Sequence, residues 1–143
     1  MSEALTLEQW IEADVSPAFA WRYRTDIGTW DDPPATFRLD GPFVEGVRGT
    51  TLMPGQDPIV WWVRDVRPER SFAIEMPLDG AALRFDWYFA PIGDRRTRLT
   101  QRITLTGTNA AAYRDPVAAG FGATLEPAMK RLAAAMVAAA NGE

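Results

Sequence analysis

The sequence predicts an α+β domain in which a curved antiparallel sheet of about seven strands is closed by one long C-terminal helix. Three observations carry that prediction. Phe72 to Met76, Leu83 to Phe89 and Leu99 to Leu105 each alternate apolar and polar residues, the period of a strand with one buried face. Asp79-Gly80 and Gly93-Asp94-Arg95 stand between them as turn sequences. Val117, Phe121, Leu125, Leu132 and Met136 then recur at helical spacing in an Ala-rich tail. With Asp79-Gly80 as the loop, Met76 faces Leu83, Ile74 faces Phe85 and Phe72 faces Trp87, while Glu75 meets Arg84 on the other face. Through the second turn, Phe89 faces Leu99, Trp87 faces Gln101 and Phe85 faces Ile103, with Asp86 opposite Arg102. One register satisfies both faces, whereas a slip of one residue would invert every side chain.

The other elements follow in order. Thr6 to Glu12 reads as a first strand with Leu7 and Ile11 apolar. Ser16-Pro17 is a helix start, a good cap followed by a proline suited to the first helical position. That helix runs through Phe19, Ala20, Trp21 and Tyr23 to about Ile27-Gly28, and Trp30-Asp31-Asp32-Pro33-Pro34 is a turn and loop. Phe37 to Phe43 and Glu45 to Leu52 are expected strands, punctuated by Gly41-Pro42, Gly46 and Gly49. A loop at 53–58 leads into a strand from Ile59 to Val66, ended by Arg67-Pro68. After a connection at 107–112, Asp115-Pro116 is expected to cap and open the last helix. Pro127 is expected to bend it, by removing a backbone hydrogen bond.

At 143 residues the chain is long enough for one domain with its own core, here taken as 1–143. It contains no cysteine and no histidine, which excludes disulfides, thiolate chemistry, a Ser-His-Asp relay and the commonest metal ligand. The carboxylates are dispersed, so no metal site and no cofactor is expected. Net charge is −4 with no basic run, which argues against nucleic acid as a partner. Lys130 is the only lysine and sits beside Arg131, a poor setting for a Schiff base. No apolar stretch approaches the ~20 residues needed to span a bilayer. Met1-Ser2-Glu3-Ala4 begins no secretory signal, so a cytoplasmic protein is expected.

Several segments together carry a family resemblance. They are Glu12 through Trp21 after the first strand, Trp30, Leu39-Asp40-Gly41-Pro42 with Gly46, Val63 through Pro68, Thr97-Arg98-Leu99-Thr100, and Leu125 through Leu132. In this order the chain resembles the START-like (SRPBCC) helix-grip superfamily, in particular its polyketide cyclase/dehydrase and lipid-transport type, over nearly its whole length. The resemblance implies two short helices after strand one and a sheet wrapped around the last helix, with an apolar cavity between them. Members bind lipids, polyketides and other apolar molecules; a minority catalyse cyclisation or dehydration.

On that expectation Trp30, Phe85, Trp87, Gln101, Phe121 and Leu125 are the candidate ligand-binding residues. Gln101 interrupts the apolar face, and a buried amide needs partners. Trp61 and Trp62 must point to opposite faces, and the sequence does not say which points in. Asp31 and Asp32 are adjacent carboxylates, but neighbours in a loop rarely share one pocket. Arg64, Asp65 and Tyr113 are within reach of a cavity mouth, with salt bridges or solvent as the simpler account. Gly120-Phe121-Gly122 lies within a helix and is no phosphate loop. The leading reading is a small protein that binds a hydrophobic or aromatic molecule. The alternatives are a cyclase/dehydratase working without His or Cys, its catalytic residues unknown, and a co-chaperone-like interaction module. A homodimer is left open. The inward face of the three registered strands offers Gln101 and no titratable group, which favours binding.

Overall fold

The structure is a computed structural model that describes residues 3–142. Seven strands form one antiparallel sheet: β1 (Glu3–Ala13), β2 (Thr36–Leu39), β3 (Arg48–Leu52), β4 (Ile59–Arg67), β5 (Ser71–Leu78), β6 (Ala81–Ile92) and β7 (Arg96–Thr106). Their spatial order is β1-β7-β6-β5-β4-β3-β2, so the first and last strands in sequence are neighbours. Helix α1 (Pro17–Thr25) and a short 3-10 turn (Ile27–Thr29) follow β1. A second 3-10 turn (Ala110–Tyr113), α2 (Arg114–Phe121) and α3 (Leu125–Asn141) end the chain. This is the helix-grip arrangement.

The central register is the expected one. Phe72 pairs with Trp87, Ile74 with Phe85 and Met76 with Leu83. Phe89 pairs with Leu99, Trp87 with Gln101 and Phe85 with Ile103. Leu78 pairs with Ala81, which leaves Asp79-Gly80 as a two-residue loop, and Gly80 supplies the positive φ of 72° that the turn requires. The buried side of these strands joins Leu125, Met129, Ala133 and Met136 of α3 in one core. Ser16 caps α1 as expected: the Phe19 N–H donates to its Oγ at 3.1 Å.

Four expectations are corrected. The closing helix is broken, not bent: it stops at Phe121 and restarts at Leu125. Pro127 occupies the first turn of α3, where its missing N–H has no intrahelical partner to lose. Asp115 is not a cap but lies in the first turn of α2, whose N-cap position is Tyr113. The second and third strands are shorter than expected, because Pro42 cannot donate to a ladder and Gly41-Pro42 turns the chain away. Residues 40–47 instead form a loop that hydrogen-bonds to Val63 and sets the Phe43 ring edge-on to Phe72, 4.9 Å between centroids.

The fourth correction concerns the outer face. Glu75 lies opposite Arg84 and Asp86 opposite Arg102, as expected, but neither cross-strand pair closes as an ion pair. Arg84 turns along its own strand to Asp86 at 3.1 Å and across to Asp65 at 2.5 Å, while Glu75 meets Arg64 at 3.7 Å. Arg102 takes Glu8 of β1 at 2.8 Å. The cause is a bulge between Arg64 and Arg67, where Asp65 adopts a positive φ of 52° and swings its carboxylate toward Arg84.

Strand β4 settles the tryptophan question. Trp61 points inward with 2% exposure, and Trp62 points outward beside Arg64. Trp61 lies over Gly49 of β3, so close that a Cβ there would stand 2.2 Å from its ring. Gly49→Ala is therefore expected to destabilise the fold by about 1–3 kcal/mol through overpacking. Pro127→Ala is expected to change stability by less than ~1 kcal/mol, where an interior kink would give ~3 kcal/mol. Urea unfolding of both variants checks the pair of assignments.

Candidate functional site

The inner face of the sheet carries one polar row. Gln9 pairs with Gln101, Gln101 with Trp87 and Trp87 with Phe72 across β1, β7, β6 and β5. Gln101 alternates with fully buried Leu99 and Ile103, so its amide points inward, and Gln9 opposite it does the same. Neither amide has a side-chain hydrogen-bond partner among the described residues. Two hydroxyls on this face are satisfied: that of Thr97 donates to the Val15 carbonyl at 2.9 Å, and that of Thr51 accepts from the Trp61 Nε1–H at 3.0 Å. Further along the row the Phe72 and Trp87 rings stack, 6.3 Å apart and 14° from parallel.

Arg24 reaches this row from α1. Pro17, Ala20, Trp21 and Arg24 fall on one helical face, and Ala20 on that face is completely buried. The guanidinium carbon lies 4.2 Å from the Trp87 ring centroid and 4.6 Å from that of Trp30. The residue keeps some exposure, but its Nε is inaccessible to water and has no hydrogen-bond partner. Among the described residues no carboxylate pairs with it. Burial pushes its pKa down to about 10, so it remains a cation at neutral pH. Trp30 fixes the place: its Nε1–H donates to the Arg24 carbonyl at 2.8 Å, and its ring stacks on Trp61 at 5.4 Å. Desolvating an ion inside a protein costs several kcal/mol. Two indole faces return about 0.5–2 kcal/mol each. The difference is a charge whose solvation the fold replaces only in part.

A cleft of about 350 Å³ opens between β1 and the break separating α2 from α3. Leu7, Gln9, Phe121, Gly122, Ala123, Leu125 and Pro127 line it, with Glu8 and Glu126 at its edge, where they pair with Arg102 and Lys130. Phe121 meets Phe85 of β6 edge-on at 5.6 Å, so the aromatic wall continues inward from the cleft. The expected six residues thus fall into two groups. Phe85, Phe121 and Leu125 meet at the helix junction, with Phe121 and Leu125 on the cleft. Trp87 and Gln101 are neighbours in the row, and Trp30 lies across Arg24 from Trp87.

The remaining candidates lie elsewhere. Arg64 and Asp65 are in the outer-face ion pairs, where the hydrogen bond from Arg84 holds the Asp65 carboxyl below its ordinary value. The Tyr113 hydroxyl donates to the Asp79 carbonyl at 3.3 Å, and Asp31 and Asp32 are exposed in the loop before β2. Among the described residues there is no group of three or more carboxylates placed to hold a metal ion. Arg24 and Gln9 were not legible as site residues from type alone. The signal for Arg24 is its spacing from Pro17, Ala20 and Trp21, which puts an arginine on the packed face. The signal for Gln9 is its alternation with Leu7 and Ile11.

Comparison with known proteins accords with this geometry. The family described as "Polyketide cyclase / dehydrase and lipid transport" matches residues 4–140. The chain belongs to that family. Among curated protein sequences none matches. Among solved structures, norcoclaurine synthase from Thalictrum flavum is similar with a TM-score of 0.69 at 12% identity, over 97% of this chain and 87% of that one. The Zhui aromatase/cyclase from Streptomyces sp. R1128 has a TM-score of 0.66 at 12% identity, over 92% and 93%. A protein from Thermus thermophilus has a TM-score of 0.68 at 16% identity, over 94% and 99%. At these identities the structural likeness establishes the fold, while family membership supports a ligand-binding or cyclase-like role. No helix among the described residues is long and apolar enough to cross a membrane.

Replacing Arg24 tests the uncompensated charge. Arg24→Met keeps the side chain's bulk and removes the ion, and is expected to raise unfolding free energy by about 1–3 kcal/mol at neutral pH. The folded chain holds this proton less tightly than the unfolded one, so the destabilisation is full below about pH 10 and is relieved as pH rises above it. Chemical denaturation of both proteins is expected to show a constant gap from neutral to mildly alkaline pH; a less stable variant would contradict the assignment.

Proposed function

We propose that this protein binds an apolar, partly aromatic small molecule, with its body in the cleft beside Phe121 and Leu125 and its polar atoms along the Gln9–Gln101 row. One observation carries the reading: two adjacent amides without protein partners lie on an otherwise apolar inner face, and one of them lines the cleft. An apolar pocket with a few converging polar groups is the usual form of a small-molecule site, because burial supplies affinity and the polar groups fix orientation. Similar folds take aromatic molecules: a norcoclaurine synthase structure with a TM-score of 0.67 is a complex with dopamine and hydroxybenzaldehyde. Binding is favoured over a cyclase-type activity because the polar side chains on the inner face of the sheet are amides and hydroxyls, while the carboxylates at the cleft, Glu8 and Glu126, are taken up by Arg102 and Lys130.

Tryptophan quenching by 2-acetylnaphthalene and 2-ethylnaphthalene tests this, since the two differ at a carbonyl. Both are expected to quench and to raise the melting temperature by mass action. Gln101→Leu is expected to reduce the preference for the ketone by about 2- to 10-fold, the worth of one hydrogen bond. If neither compound quenches up to its solubility limit, the binding reading fails. If Gln101→Leu unfolds the protein, the amide is a structural strut.

A further inference from the structure

We propose that the ligand carries a carboxylate or an equivalent anionic group and that Arg24 receives it, between Trp30 and Trp87. This rests on the reading of the interior as a ligand site and names the chemical class of what enters.

Three observations converge on it. The first is charge. Among the described residues the ion pairs of arginines lie on the outer face or in surface loops, whereas Arg24 has no carboxylate and an inaccessible nitrogen without a partner. The second is direction. The guanidinium carbon stands 4.2 and 4.6 Å from two indoles, and an indole offers a π-face but no lone pair in its ring plane. The N–H donors therefore have no protein acceptor, and their fixed fork matches a carboxylate in bidentate fashion. The third is reach. From Gln9 on the cleft, through Gln101, to Trp87 is two strand spacings, roughly 10 Å. A molecule with a two-ring body and one acidic group spans that distance: rings at Phe121 and Leu125, a carbonyl or hydroxyl at the amides, the anion at Arg24. The net charge of −4 makes the surface a poor collector of anions, so an anion preference reports on the interior.

The test uses two probes that differ by one anionic group, 8-anilinonaphthalene-1-sulfonate and neutral N-phenyl-1-naphthylamine. Each is titrated into the folded protein and followed by probe emission and by energy transfer from tryptophan. The wild type is expected to prefer the sulfonate by at least ~10-fold, with one probe bound per chain. Arg24→Met is expected to abolish that preference, and Arg24→Lys to restore part of it, since a lysine keeps the charge but not the fork. Because the ion pair is buried, the preference is expected to change less than ~2-fold between about 0.05 and about 0.5 M salt, a measurement that needs no variant. A preference unchanged in Arg24→Met, or lost with salt in the wild type, overturns the assignment of Arg24 while leaving the ligand site standing. An equal loss of both probes in a folded Arg24→Met shows a structural plug and also overturns it. If neither probe binds the wild type, the ligand site itself fails and this inference with it.

Discussion

The structure depends on a mismatch of widths. Seven strands at their usual spacing span roughly 29 Å, and a single helix with its side chains covers only about 10–12 Å. Helix α3 cannot bury the apolar face alone, although Leu125, Met129, Ala133 and Met136 fill its share completely. The remainder is divided among α1, which sets Trp21 edge-on to Phe72 and Phe89, and the 40–47 loop, which adds Phe43. Phe121 at the end of α2 covers Phe85. Where these covers meet, they leave seams. The cleft is such a seam, and Arg24, held between two indoles, stands where α1 meets the sheet.

The sheet was legible because its information is local and redundant. Each pairing from Phe72–Trp87 to Phe89–Leu99 is fixed by alternation and by two short turns, and both faces vote for the same register. The helix break was less legible because proline means different things at different depths. Pro127 reads as a kink only if the helix is assumed to run through it, and the chain has already broken at Gly122. The short second hairpin misleads for a related reason: Phe37 to Phe43 looks like a strand by composition, yet Pro42 has no N–H to give. The site was the least legible part. Gln101 stood out because it is polar where its neighbours are not. Arg24 did not, because an arginine near a helix end is ordinary until the third dimension shows both indoles closing on it.

The two faces of the sheet use charge in opposite ways. On the convex side arginines and carboxylates form a paired network in which Arg84 turns from Glu75 to Asp65 and Asp86, and its exposed members such as Arg102 and Glu8 contribute under ~1 kcal/mol per pair. On the concave side Arg24 is retained against two indole faces with no carboxylate among the described residues. Proteins keep such a group against its energetic disadvantage chiefly where a ligand or a reaction uses it.

The adjacency of β1 and β7 has a consequence for how the chain reaches its native state. Glu8 and Arg102 are 94 positions apart, yet they meet in one ion pair, and the whole of β1 is zipped to β7 at comparable separations. The β5–β6–β7 meander can form early from near neighbours, whereas docking β1 requires closing a loop of most of the chain, the slow kind of contact. On the ribosome β1 emerges well before its partner β7, so Leu5, Leu7, Gln9 and Ile11 wait without a sheet. Assembly of the inner polar row therefore coincides with the docking of β1, because Gln9 joins Gln101 only then.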